Sequence, residues 1–259
     1  VGVEGVADFT HVTGRHEVGN LTLAELAAST ATYQMFGGTL ETTYNLHVGK
    51  AGDASFLQNA ASVAVGNHLK LGIEAGATGD YQLLNAGTLA VNADELVGGF
   101  GHGIFTQASG THSVAGQLSI GKEVDGSGEF ILEDGLLSSF VTELGGYGTG
   151  TFTQNGGENN VTIELGLGKH VGGRGTYTLN DGSLFTRQTL VGADGTGVFK
   201  QNGGLHKLTN DLTLGYGASG YGKYTITNGT LDVRAGTIFL GRNGDAKGRL
   251  DLNGGTVWA

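Results

Sequence analysis

Apolar and polar residues alternate along this chain in short runs, and most runs end at a glycine or an Asn-Gly pair. That is the period of a half-buried β-strand punctuated by turns, and no stretch carries a sustained helical period. "LTLAELAAS" at residues 21–29 comes nearest to a helix, yet it fits the strand register equally well. The alternation itself recurs: aligned positions hold Phe9, Tyr33, Phe56, Tyr81, Phe105, Phe130, Phe152, Tyr177, Phe199, Tyr224 and Leu250, spaced 22–26 residues apart. A second column keeps the same register: Gly49, Gly72, Gly98, Gly121, Gly145, Gly168, Gly192, Gly215 and Gly241, with Leu23-Ala24 in the corresponding place of the first unit.

A unit this short, with about three strands, cannot bury its apolar face alone, so its neighbours must stack on it. The expected fold is all-β, a right-handed parallel β-helix (β-solenoid) of about eleven coils of 22–26 residues. It should form one domain over residues 1–259, about 50 Å long at about 4.8 Å per coil.

"VGVEGVADF" at 1–9 aligns with "VGADGTGVF" at 191–199, and "RLDLNGGTVWA" at 249–259 aligns with "TYTLNDGSLFT" at 176–186. Both ends therefore fall partway round a coil, and open strand edges template pairing with another chain. The expected partner is a copy of the chain, joined head to tail: Val1, Gly2 and Val3 of one subunit stack on Leu250, Leu252, Val257 and Trp258 of the next. The rival reading is a window of a longer solenoid.

The units largely alternate in type. Those headed by Tyr carry Met35, Leu83, Leu179 and Ile226 two places on, whereas those headed by Phe mostly carry glutamine: Gln58, Gln107, Gln154 and Gln201. Five residues further, the glutamines are followed by Val63, His112, Asn159 and His206, and the first unit has His11 with His16. Both positions face inward by the alternation, where an unpaired polar group costs about 1–3 kcal/mol. Gln107–His112, Gln154–Asn159 and Gln201–His206 are thus expected to satisfy each other inside the coil and to oppose slippage between coils. Gln58 with Val63 breaks the rule and calls for a backbone or water partner. The competing reading is a Gln/His column lining a glycan groove.

Composition narrows the function. The 259 residues include 51 Gly but no Pro and no Cys, which suits a chain that turns often and excludes disulfides and thiolate chemistry. With 24 acidic against 14 basic residues, a formal charge of −10 argues against nucleic acid or an anionic membrane as partner. No apolar stretch is long enough for membrane insertion. Glu95, Glu123, Asp125, Glu133, Asp134 and Glu143 are scattered over different repeat positions rather than clustered as a polysaccharide lyase requires. No metal or cofactor is expected, since the histidines include no HExxH pair and His11 with His16 is the one close couple. Asn20-Leu-Thr, Asn160-Val-Thr and Asn228-Gly-Thr fit the N-glycosylation acceptor pattern.

Units such as "GTGTFTQNGGENNV", "GTYTLNDGSL" and "YGKYTITNGTLDV" resemble the passenger-associated repeats of bacterial autotransporter and other large secreted surface proteins. The resemblance covers nearly all of residues 7–259. It implies an extracellular or cell-surface location and a structural or adhesive role, with no catalytic motif in the repeat. The expected function is a subunit or segment of a surface fibre, sheath or stalk. The alternatives are an adhesin that binds cell-surface glycans and, third, a polysaccharide-acting enzyme.

Overall fold

The computed structural model describes residues 5–259, and among them finds 28 strands and no helix. The first arc of every coil contributes one strand to an eleven-stranded parallel sheet. Its strands are Val6–His11, Thr30–Met35, Asp53–Asn59, Thr78–Leu84, His102–Gln107, Ser127–Leu132, Thr149–Gln154, Arg174–Leu179, Thr196–Gln201, Tyr221–Ile226 and Lys247–Leu252. They stack in chain order, and they number the coils 1 to 11 below. The second and third arcs form a 17-stranded sheet that wraps the rest of the core. This is a parallel β-solenoid of about eleven turns.

In coils 5 to 8 the second and third arcs run on as single strands, Thr111–Ile120, Leu136–Leu144, Glu158–Leu167 and Ser183–Val191. The ladder absorbs the corner with bulges, such as the register shift between Val114 and Gln117.

Alternation decides which side chains go inside. In Thr149–Gln154 the residues Gly150, Phe152 and Gln154 are buried while Thr149, Thr151 and Thr153 face outward. Because parallel strands lie about 4.8 Å apart, identical inward positions of successive coils meet face to face. The rings from Phe9 to Tyr224 accordingly form one continuous stack, with neighbouring centroids 4.4–5.0 Å apart.

The recurring glycine column closes the corner after the third arc. All nine glycines sit in the left-handed region, with φ between 58° and 78°. Coil 1 makes the same corner with Ala24 at φ 51°, so alanine there preserves the backbone shape rather than breaking the repeat.

Candidate functional site

The polar columns are the chemically richest feature of the chain, and the structure puts them in the core. Gln58, Gln107, Gln154, Gln201, His112, Asn159 and His206 are all fully buried. A glycan groove built from these columns is therefore excluded for the described surface.

The hydrogen bonds correct the expected pairing. Gln154 Nε2 donates to the carbonyls of Gly157 and Ser183, at 3.3 and 3.1 Å. The first is in its own turn and the second in the next coil, so the amide staples two coils together. Gln58, Gln107 and Gln201 bond their turns and the following coils in the same way. Each glutamine is thus held by backbone, which also explains why Gln58 tolerates Val63.

The link to the residue five places on is a tyrosine hydroxyl from the next coil. Tyr177 OH donates to Gln154 Oε1 at 2.6 Å and accepts from Asn159 Nδ2 at 3.1 Å. Tyr224 OH does the same between Gln201 Oε1, at 2.7 Å, and His206 Nδ1, at 3.1 Å. Tyr81 OH donates to Gln58 Oε1, and Tyr33 OH lies 2.7 Å from His16 Nδ1. The Phe-then-Tyr alternation is a hydrogen-bonding pattern: most coils with a polar interior are followed by one that supplies a hydroxyl.

A second partner comes from the coil before. The first inward column of the third arc reads Leu21, Leu46, Leu69, Glu95, Leu118, Thr142, Leu165, Thr189, Leu212 and Ile238. The second-arc residues one coil later read Leu40, Val63, Leu89, His112, Leu137, Asn159, Leu184, His206, Leu231 and Val257. Polar follows polar and apolar follows apolar throughout. His112 Nε2 lies 2.7 Å from Glu95 Oε2, both residues fully buried. His206 Nε2 lies 3.3 Å from the hydroxyls of both Thr186 and Thr189. Thr142 bonds Ser139 at 2.7 Å, and Asn159 Oδ1 is left without a partner.

Coil 6 breaks the pattern, because Phe130 stands where a tyrosine would follow Gln107. Gln107 Oε1 and His112 Nδ1 are both buried without a hydrogen bond. These are the atom types that the hydroxyl bridges in coil 10. Phe130→Tyr should therefore stabilise the protein by about 1–2 kcal/mol, read as a higher urea midpoint. A loss of stability would contradict the bridging role.

Burial lowers the pKa of His206 to about 3. Unfolded, the imidazole titrates near its ordinary 6.5. Between pH 6.5 and 3 the unfolded chain takes up a proton that the folded chain refuses, so stability falls as pH falls. At pH 5 this amounts to about 2 kcal/mol. His206→Asn, which copies the arrangement at Asn159, should remove that contribution. Identical stability-against-pH slopes for the two proteins would contradict it.

The remaining candidates disperse. His11 is buried and meets His16 edge to face at 6.3 Å between ring centroids. Among the described residues no group of three or more His, Asp or Glu is placed to hold a metal, and no helix is long and apolar enough to cross a membrane. Asn20 and Asn228 are exposed, and Asn160 is half-buried beside a shallow cleft of about 360 Å³ with Phe185, Arg187 and Lys207. Val1, Gly2 and Val3 lie outside the described residues. Leu250 and Val257 pack on the core from coil 11, while Leu252 and Trp258 are exposed, Trp258 beneath the Arg234 guanidinium at 4.5 Å.

No family model, curated protein or solved structure matches the chain. The architecture of about eleven stacked turns is consistent with the repeats that the sequence resembles, and function has to be argued from the chain itself.

The third-arc column is the feature that sequence reasoning missed. Its signal was a spacing of 17 residues, Glu95 to His112 and Thr189 to His206, and the tyrosine bridge carried one of 18, Asn159 to Tyr177 and His206 to Tyr224.

Proposed function

We propose that the protein is a non-enzymatic structural element of an extracellular or cell-surface assembly, a rod-like segment of a fibre, sheath or stalk. The observation that carries this reading is the use of the interior. Aromatic stacking and cross-coil hydrogen bonds occupy the residues that could otherwise form a site. A core joined from coil to coil by many parallel contacts suits a part that transmits force along its axis. Such a fibre extends by continuing the coil stack, through further coils or through another copy placed head to tail. Exposed Leu252 and Trp258 offer apolar contact at that end.

Electron microscopy of the purified chain tests the reading. Straight, unbranched rods about 50 Å long, or multiples of that length, are the expected result. Compact round particles would sink it, and so would turnover of an acidic polysaccharide.

A glycan-binding adhesin is the second reading, favoured by exposed aromatics at the third-arc corner. Phe100, Tyr147 and Tyr216 are about half exposed, and Tyr147 stacks on His170 at 4.3 Å. Retention on immobilised glycans, lost in Tyr147→Ala, would favour it.

A further inference from the structure

The outward face of the eleven-stranded sheet is divided by charge. Over coils 1 to 6 its outward charged residues are Asp8, Asp53, Asp80 and Glu129, with no Lys or Arg. Coil 7 presents only Thr149, Thr151 and Thr153. Over coils 8 to 11 the outward residues include Arg174, Lys200, Lys223, Lys247 and Arg249, against the single acid Asp251. Five of the 14 basic residues of an acidic protein thus gather at one end of one face. Asp251 pairs with Lys223 and Arg249, while Arg174, Lys200 and Lys247 have no ion-pair partner among the described residues. Between the charges lie half-buried apolar side chains: Leu57, Ile104, Ile131 and Val198.

We propose that this face is a self-association surface, on which a second copy of the chain lies antiparallel. Parallel in-register packing would set acid on acid and base on base, which costs several kcal/mol. A two-fold axis lying in the contact plane, parallel to the strands and placed between coils 6 and 7, does the opposite. Coil 3 with Asp53 then faces coil 10 with Lys223, and coil 4 with Asp80 faces coil 9 with Lys200. The contact is isologous and closes as a dimer. It needs nothing from the chain ends, so it is independent of any axial extension. The area suffices: the ten coils that overlap, coils 2 to 11, with strands about 4.8 Å apart and about 18 Å long, cover roughly 860 Å², against the roughly 800 Å² per partner of a standard stable interface. The interdigitating apolar residues supply contact area, and the charges select the antiparallel register.

Analytical ultracentrifugation of the 259-residue chain tests this with two charge-reversal variants. Wild type is expected to dimerise at about 50 mM salt and to dissociate progressively toward about 0.5 M, as screening shortens the reach of the ion pairs. Lys200→Glu with Lys223→Glu sets acid against acid at the two facing positions, and Asp53→Lys with Asp80→Lys sets base against base there. Each variant alone should associate at least about 100-fold more weakly, whereas a one-to-one mixture should form a heterodimer. The mixture also shows that both variants are folded. Lys70→Glu with Lys122→Glu, on other arcs, should leave the wild-type dimer intact. A wild type monomeric at about 0.5 mM in low salt would overturn the proposal. So would variants that dimerise alone as wild type does, or a mixture of folded variants that stays monomeric.

Discussion

His112→Leu should destabilise the protein by about 3–5 kcal/mol, because it leaves the Glu95 carboxyl in the core without its partner. Glu95→Leu alone should cost less, about 1–3 kcal/mol, since the imidazole it strands keeps its stacking on Phe105 at 4.7 Å. The two changes together should recover most of the loss. Neighbouring coils show why: Leu46 precedes Val63 and Leu69 precedes Leu89 at the same two positions, so the core accepts an apolar layer there without rearrangement. In a double-mutant cycle by chemical denaturation, a coupling of about 2 kcal/mol or more is expected. Additive losses would mean that the two residues are not partners.

Gly121→Ala should be nearly as damaging, at about 3 kcal/mol or more. The residue sits at φ 65°, which costs a Cβ-bearing residue about 1–2 kcal/mol, and the new Cβ would lie 1.9 Å from the Thr149 carbonyl oxygen. That oxygen belongs to coil 7, so relief requires two coils to separate. Gly76→Ala is the control. It has φ 82° but nothing within 4 Å of an added Cβ, so only the backbone penalty of about 1–2 kcal/mol applies. Equal losses in the two variants, measured as thermal midpoints, would contradict the close approach of coils at Gly121.

The solenoid was legible because the repeat shows twice, once as the aromatic column and once as the glycine column, and parallel stacking turns each column into a line of contacts. The inward place of Gln154 and Asn159 followed from alternation alone. Their partners did not. A reader of one unit sees the residue five places away, whereas the bonded atoms belong to Ser183 and Tyr177 in the next coil. Likewise Glu95 looked like one of several scattered acids until the ladder aligned it with Leu69 and Leu118. The one irregular glycine position, Ala24, was visible as an exception, but its left-handed backbone was not.

The central claim is that tyrosine hydroxyls from one coil close the polar layer of the coil before. Tyr33, Tyr81, Tyr177 and Tyr224 are fully buried, whereas Tyr44, Tyr147, Tyr216 and Tyr221 are exposed. Burial pushes Tyr33 up to about 12 and the other three buried hydroxyls well above the usual range, with Glu95 adding to the effect at Tyr81. A spectrophotometric titration of the eight tyrosines, followed alongside the far-ultraviolet β-sheet signal, tests this directly. Ionisation of Tyr81, Tyr177 and Tyr224 should be withheld until the sheet signal collapses at high pH, and should then appear in step with it. Ionisation of all eight while the sheet signal is intact would contradict the account.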